Sequence, residues 1–214
     1  MDSLRDRFLF SRVLLGLFVL SLVYTVSNFA APYTIPPGAA ANLDGAANIV
    51  DNGNVYNTMW TYPQVIYYIG DAQCHQMAAR TLWLNGNQMP MDARMTSIYL
   101  FANFGLLGAI LAAPSTSIAQ GMVNAIPRRV QDWVRRHVGP TAFAAALVIL
   151  GLMPVAVDGF WQLLSNGAYE STNLKRYLTG IPAGWVAGLL VGVMVKSIRQ
   201  VDVETAALRA RAQA

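Results

Sequence analysis

The class of fold can be inferred from one segment, FLFSRVLLGLFVLSLVYTVSNFA, at residues 8–30. This apolar run has about the length that an α-helix needs to cross a bilayer, roughly 20 residues. Three further runs have the same character, at about residues 98–119, 141–157 and 181–198. The run at 98–119 is the weakest, because Pro114 and three hydroxyl residues follow its apolar core. The sequence therefore predicts an all-α integral membrane protein with four transmembrane helices.

The composition supports the same class of protein. Of 214 residues, 55% are hydrophobic and only 12% are charged, and the mean hydropathy is +0.38. Soluble domains carry about 25% charged residues. We expect a single membrane domain over residues 1–214, since a separate soluble enzyme domain would leave little chain for the spans. The single cysteine excludes an internal disulfide and a zinc site built from several thiolates of this chain.

Basic residues are unevenly distributed among the segments that flank the apolar runs. Eleven of the fifteen lysines and arginines lie before or near the start of the first run, between the second and third, or near or after the end of the fourth. By the positive-inside rule, both termini and the tail 199–214 are cytoplasmic, whereas the loops 31–97 and 158–180 face outward from the inner membrane. The same distribution argues against nucleic-acid binding, because no basic face is interleaved with base-stacking aromatics.

The first apolar run has an alternative interpretation as a signal peptide, since it combines a basic start with an apolar core. Its length favours an uncleaved membrane anchor.

Three connecting segments have a character of their own. PRRVQDWVRRHV, residues 127–138, has apolar residues at helical spacing between arginines, which suits a short helix lying on the inner leaflet. A positively charged loop that happens to be helical explains this pattern equally well. Short outer helices are expected around Gln64–Leu84 and Leu163–Leu178. Segment 32–62 is rich in Ala, Gly, Asn and Pro and is too long for a simple connection, so we interpret it as a lid or a partner-binding loop.

Most of the unusual polar residues fall in the two predicted outer loops or beside them. We call the following ten residues the polar cluster: Cys74, His75, Arg80, Asp92, Arg94, Asp158, Gln162, Glu170, Asn173 and Arg176. Ionisable groups near bilayer depth usually pair or line a functional cavity. If the spans bundle, Asp158 and Glu170 could neutralise Arg80, Arg94 or Arg176 at one outer mouth. The alternative is structural, because ion pairs also tie loops together and ESTN offers helix N-caps.

Three motifs in this order resemble a known family: CHQMAARTLWLNGNQMPMDARMTSIY, DGFWQLL and ESTNLKRYLTG, at residues 74–99, 158–164 and 170–180. The chain resembles domain of unknown function family 2085, a family of small prokaryotic membrane proteins, over roughly residues 70–195. The family has no assigned activity, so the resemblance implies a fold rather than a function.

The family pattern also implies a metal or thiol site, in which Cys-His is followed by Cys-x-x-Cys. Here Asp92 and Met95 stand at the two later cysteine positions. In one interpretation the site is retuned, and Cys74, His75, Asp92 and Met95 could hold copper or another transition metal, since Cys and Met ligands favour copper(I). In the other the site is lost, Cys74 behaves as a small buried apolar residue and Asp92 pairs with an arginine.

Three classes of function follow. The favoured one is a non-catalytic structural or accessory subunit of a larger membrane complex, which contacts lipid and binds other membrane subunits through its spans and long outer loop. The alternative is a membrane metal-binding or redox protein, or an enzyme, with an outward polar site around Cys74, His75, Asp92 and Met95. A transporter is least favoured, because no run has a charged residue at its centre. The spacing of Gly184, Gly188 and Gly192 suits close helix packing, either internal or against a partner.

Overall fold

The computed structural model describes residues 4–46 and 48–213. Within them the helices and strands, in chain order, are α1 (Leu4–Leu9), α2 (Arg12–Ala30), α3 (Gly53–Tyr56), α4 (Thr61–Asp71), β1 (Thr81–Leu84), β2 (Asn87–Asp92), α5 (Ala93–Leu111), α6 (Ile118–Asn124), α7 (Arg128–His137), α8 (Pro140–Leu164) and α9 (Asn173–Ala212). Short 3₁₀ turns follow α2 and precede β1. The helices α2, α5, α8 and α9 are long and apolar enough to cross a membrane. The predicted helical membrane fold with four candidate spans is confirmed.

The second span lies earlier in the chain than the predicted residues 98–119. It begins directly after Asp92, whose Oδ1 accepts a hydrogen bond of 2.7 Å from the backbone N–H of Met95. An acidic oxygen at this position satisfies one of the unpaired amides of the first helical turn. The helix ends before Pro114, which has no N–H and disfavours the helical conformation in the residue before it. A separate short helix, α6, follows.

The third and fourth spans are longer than their apolar runs. Helix α8 continues beyond the predicted residues 141–157 as far as Leu164. Helix α9 starts at Asn173, where Thr172 Oγ1 accepts from the backbone N–H of Lys175 at 3.3 Å, and it includes the predicted tail. The separate outer helix expected over Leu163–Leu178 was therefore a wrong prediction, because residues 165–172 are the connection between two long helices.

The outer helix expected over Gln64–Leu84 is only partly correct. Helix α4 ends at Asp71, and an antiparallel hairpin of β1 and β2 follows. Asn85 and Gly86 form its turn, with φ of 52° and 70°. Two positive φ values match the type I′ turn that joins the strands of a tight hairpin, and Asn-Gly is its preferred sequence. The pairing is irregular between Thr81 and Trp83, and Pro90 within β2 offers no N–H to the ladder.

The chain forms two compact units. The first unit comprises the described residues up to Leu20, Phe101–Pro154, and the described residues from Pro182 onward. Its apolar core is built from Leu14, Leu106, Ala109, Ile110, Met122, Leu189 and Val193. A Cβ on Gly188 would collide with the backbone of Ala102, and one on Gly105 would collide with the backbone of α9. The small-residue face of α9 is therefore used for internal packing against α5.

The C-terminus of α5 is capped by two basic side chains of the same unit. Lys196 is buried, and its Nζ donates to the carbonyls of Ala109, Ile110 and Ala112 at 3.1, 2.7 and 2.6 Å. Arg7 donates to the carbonyl of Leu111 at 2.9 Å. These bonds satisfy carbonyls that have no partner within the helix, and positive charge is favourable at this end of the helix dipole.

The second unit comprises Ser21–Leu100 and Val155–Ile181. Its core consists of Ala31, Ile35, Ala40, Leu43, Tyr56, Ile66 and Tyr67. Four of these residues, Ala31, Ile35, Ala40 and Leu43, come from the segment between α2 and α3, which has little regular structure. That segment therefore contributes a core of its own, although its composition resembles a loop.

Candidate functional site

Two side-chain amides of the hairpin hold the long segment that precedes it. The side chain of Asn87 accepts from the N–H of Ala40 at 3.0 Å and donates to the carbonyls of Pro32 and Pro36 at 3.0 and 3.2 Å. The neighbouring Gln88 accepts from the N–H of Leu43 at 2.6 Å. Both amides are buried, so they replace the water that this irregular backbone would otherwise need.

A buried carboxylate fixes the next part of the same segment. Asp71, at the end of α4, accepts at Oδ2 from the N–H groups of Asp51 and Asn52, both at 3.1 Å. These two amides lie just before α3, where the chain turns into the helix. The segment expected to be a free lid or partner-binding loop is thus anchored to the hairpin and to α4.

Arg94 and Asp158 are the central ion pair of the polar cluster. Arg94 lies in the first turn of α5, and its Nη2 donates to Asp158 Oδ2 in α8. The other oxygen of Asp158 accepts from the hydroxyl of Tyr169 at 2.7 Å. Both oxygens of the carboxylate are therefore engaged, and Asp158 is buried.

Arg176 is the most buried cation of the cluster, with 4% of its surface exposed. Its Nε donates to the carbonyl of Ser171 at 2.9 Å, and its Nη2 donates to Gln162 Oε1 at 3.1 Å. Glu170 lies 3.8 Å from Arg176 Nη2 and 3.3 Å from Arg80 Nε. One exposed carboxylate thus faces two arginines, which links the start of α9 to the segment before β1.

Asn173 makes a further connection between these segments. Its Nδ2 donates to the backbone carbonyl of Thr81, the first residue of β1, at 3.2 Å. Seven members of the polar cluster, Arg80, Arg94, Asp158, Gln162, Glu170, Asn173 and Arg176, are therefore bonded to each other or to nearby backbone.

Cys74 lies in a different environment from these residues. It is buried, with 2% of its surface exposed, while the adjacent His75 is half-buried. Burial, and then the negative charge of Asp92, raise the pKa of the Cys74 thiol to about 12. The thiol is therefore neutral at physiological pH in the metal-free protein, and a neutral buried thiol is a poor nucleophile.

The four residues at the family's metal or thiol positions are not assembled as a metal site. Asp92 Oδ1 caps α5 at the N–H of Met95, and Cys74 is buried. Among the described residues, no group of three or more His, Cys, Asp or Glu side chains is arranged to hold an ion. The paired charges of the polar cluster join the loop, the hairpin and the helix termini.

Two partners in this network were not anticipated from the sequence. Tyr169 lies in the connection between α8 and α9 and belongs to no motif, so no local signal points to its bond with Asp158. Asn87 has such a signal, because it follows the Asn-Gly turn of a hairpin and stands at the start of a strand.

Comparison with known proteins places the chain in a family. The model of the family described as "Predicted membrane protein (DUF2085)" matches residues 74–190, a little over half of the chain. The chain belongs to this family. The DUF2085 match begins at Cys74 and extends into α9, so it includes the hairpin and the whole polar cluster. The resemblance stated from the three motifs is confirmed.

Two archaeal proteins illustrate the similarity. An uncharacterised protein of Methanothermobacter thermautotrophicus is 32% identical over 124 residues, which cover 56% of this chain and 86% of the relative. An uncharacterised protein of Methanocaldococcus jannaschii is 27% identical over 165 residues, covering 77% of this chain and 80% of the relative. No solved structure shows significant similarity. Membership in DUF2085 establishes a multi-pass membrane protein and assigns no activity.

Proposed function

We propose that this DUF2085 protein is a non-catalytic structural or accessory subunit of a larger complex in the cell's inner membrane. It binds its partners through its spans and through the exposed part of its long outer loop. Both termini face the cytoplasm. The observation that carries the proposal is that the polar cluster forms its hydrogen bonds within the chain itself.

The bonding within the cluster favours a structural role over a catalytic one. A catalytic acid, base or nucleophile needs a titratable group within reach of a substrate and a pKa suited to the operating pH. Asp158 is bonded at both oxygens, and Cys74 is a neutral buried thiol. These two groups stabilise the fold and are not placed to act as a general base or a nucleophile.

The apolar surface of α8 supports the binding of other membrane subunits. Only 6% of the most apolar 18-residue stretch of α8 is buried, compared with 22 to 44% of the corresponding stretches in the other three candidate spans. Ile149, Leu150 and Met153 are prominent among its exposed side chains. Helix surfaces of this kind contact either lipid or a neighbouring helix, and α8 offers the largest free surface for such a helix.

The outer loop offers a second contact region. It is anchored near Leu43 and again at Asp51 and Asn52, while Ile49, Val50 and Trp60 expose large apolar surfaces. Trp60 is held in place by a bond of 3.0 Å from its indole N–H to the carbonyl of Thr34. Rigid, exposed aromatic side chains are typical anchors of protein interfaces.

The proposed orientation is supported by the distribution of positive charge. Eleven of the fifteen lysines and arginines flank the spans on the side assigned to the cytoplasm. Attaching a membrane-impermeant label to a cysteine introduced at Ala210, in the Cys74→Ser background, tests this orientation. Labelling in intact cells would contradict it, whereas labelling only after permeabilisation is expected.

The subunit role is tested by extracting the protein gently from its own membranes. Native mass analysis of the particle is combined with elemental analysis of the same sample. We expect a particle that contains a different protein in a fixed ratio and no stoichiometric metal. A particle of this chain alone that carries one copper, zinc or iron per chain, lost on Cys74→Ser, would overturn the proposal.

A matched pair of variants identifies the binding surface. Ile149→Trp with Met153→Trp adds bulk to the exposed face of α8, which lipid accommodates and a packed partner helix does not. Val13→Trp with Leu20→Trp makes the same change on exposed positions of α2. We expect the α8 pair to dissociate the particle and the α2 pair to leave it intact. Intact particles in both cases would move the interface away from α8.

A further inference from the structure

Helix α7 combines an anchored face with an exposed face of different chemistry. Val134 is fully buried and fixes the helix to the first unit. On the exposed side Trp133 has 53% and Val130 has 44% of its surface accessible. The Trp133 indole stacks on the His137 imidazole, with ring centroids 5.6 Å apart. A tryptophan held in this way, in contact with solvent, is a feature of surfaces that lie at a membrane interface.

The position of α7 in the chain places it beside the bilayer. Helix α8, a candidate span, begins at Pro140, three residues after α7 ends. Gly139, with φ of 83°, makes the turn between them. With so short a connection, α7 must lie near the level at which α8 leaves the hydrocarbon. This holds whichever side of the membrane α7 faces.

The charges on the exposed face are arranged around the tryptophan. Arg129, Trp133 and Arg136 stand at positions i, i+4 and i+7, so they share one face of the helix. All three are exposed. The neighbouring Arg135 donates Nη2 to the side chains of Asn124 and Gln131 at 3.0 and 3.2 Å, whereas Arg136 donates Nε to the backbone carbonyl of Asp132 at 3.1 Å. Arg129 and Arg136 therefore provide positive charge on both sides of an interfacial aromatic ring.

We propose that this face of α7 is a binding site for the headgroup of anionic phospholipids. Trp133 and Val130 enter the interface, while the guanidinium groups of Arg129 and Arg136 bind the lipid phosphate by charge-assisted hydrogen bonds. Each basic residue close to an anionic surface strengthens binding about fivefold. The site is independent of the proposed subunit role, because it requires only that α8 crosses the membrane.

The test uses the full-length protein reconstituted in phosphatidylcholine vesicles. Phosphatidylglycerol or phosphatidylcholine with brominated acyl chains is added as a minor component, and quenching of tryptophan fluorescence is measured. The chain has five tryptophans, so the signal of Trp133 is obtained by subtracting that of Trp133→Phe. We expect brominated phosphatidylglycerol to be enriched at Trp133 at least about fivefold over phosphatidylcholine, with the enrichment falling at high salt.

Two double variants, each of which removes two positive charges, distinguish binding at this site from general electrostatic attraction to the anionic lipid. Arg129→Gln with Arg136→Gln is expected to remove the enrichment. Arg209→Gln with Arg211→Gln, at exposed positions in the last turns of α9, is expected to retain it. Equal quenching by the two lipids in the native protein, or enrichment that survives loss of Arg129 and Arg136, would overturn the proposal. So would absence of quenching by either lipid, since Trp133 would then be covered by protein.

Discussion

Arg94 and Asp158 form an ion pair across 64 positions of sequence, between the first turn of α5 and the last two turns of α8. Tyr169 holds the second oxygen of the carboxylate. Because the pair has little contact with solvent, each charge depends on the other for its stability. The pair fixes two helices at the point where the polar cluster begins.

Replacing Asp158 with Asn is expected to destabilise the protein by about 3 kcal/mol, since it leaves the charge of Arg94 without its partner in a largely buried position. The midpoint of thermal unfolding in detergent, followed by intrinsic fluorescence, measures the effect. The double variant Arg94→Gln with Asp158→Asn is expected to recover part of the loss, because no charge is then left unpaired.

Glu170→Gln provides the control for this prediction. Glu170 is exposed, so we expect its loss to change stability by less than about 1 kcal/mol. Equal losses for Asp158→Asn and Glu170→Gln would contradict the central role of the Arg94–Asp158 pair.

Replacing Lys196 with Ala is expected to lower the free energy of unfolding by roughly 2–4 kcal/mol, because three carbonyls at the end of α5 lose their donor. Arg199→Ala removes a positive charge from an exposed position of the same helix and should have little effect. The two variants are compared by thermal unfolding. If Lys196→Ala changed the stability as little as Arg199→Ala, this result would show that water replaces the ammonium group with no loss of stability.

Replacing Asn87 with Ala is expected to release the segment around Ala40, whose N–H then has no acceptor in a buried position. Hydrogen exchange of residues 32–43 should become faster by at least about tenfold, which corresponds to a local loss of roughly 1.4 kcal/mol. Gln64→Ala is the control, since its side chain bonds to the exposed Asn57 instead. Unchanged exchange in Asn87→Ala would mean that apolar packing alone holds the segment.

The Cys74 thiol is expected to react slowly with alkylating reagents in the folded protein. Burial and the charge of Asp92 raise the pKa of the thiol from about 9 to about 12. The thiolate fraction therefore continues to rise about tenfold per pH unit above pH 9. The same shift stabilises the fold below pH 9, and this contribution is lost as the pH rises toward 12. Alkylation followed by mass spectrometry should show no plateau below pH 10. A plateau near pH 7 would indicate a reactive thiolate and revive a redox role.

Replacing Gly188 with Ala is expected to destabilise the first unit by about 1–3 kcal/mol, because the added methyl group meets the backbone of Ala102. Gly16→Ala is a matched control in another span. No heavy atom lies within 4 Å of a Cβ built there, and alanine is the better helix former. We expect thermal unfolding to shift downward for the first variant and not for the second.

Several features of this protein could be predicted from local sequence. Hydropathy and length identify the four spans, because a helix that crosses a bilayer must be apolar along its own length. The predicted first and last residues of the helices were less accurate, because capping residues decide where a helix begins and ends. Asp92 starts α5 five residues before the predicted position, and the helix ends ahead of Pro114. The hairpin at Asn85–Gly86 had a local signal, but an expected helix was extended across it.

The partners of the polar residues could not be predicted in the same way. Asp92 was considered as a metal ligand or as the partner of an arginine, and it caps α5 by accepting from the N–H of Met95, three residues further on. The small-residue face of α9 suited either a partner or internal packing, and only its approach to Ala102 distinguishes them.

Local patterns in the sequence were enough to identify a helical membrane protein of the DUF2085 family, because the requirement for apolar length and the family motifs are both local. The bond of Asn87 to Pro32, the cap of Lys196 on α5 and the pairing of Asp158 with Arg94 and Tyr169 depended on the tertiary fold. The reason is physical. A buried polar group must find a partner wherever the folded chain places one, and these partners lie 11 to 87 positions away in the sequence.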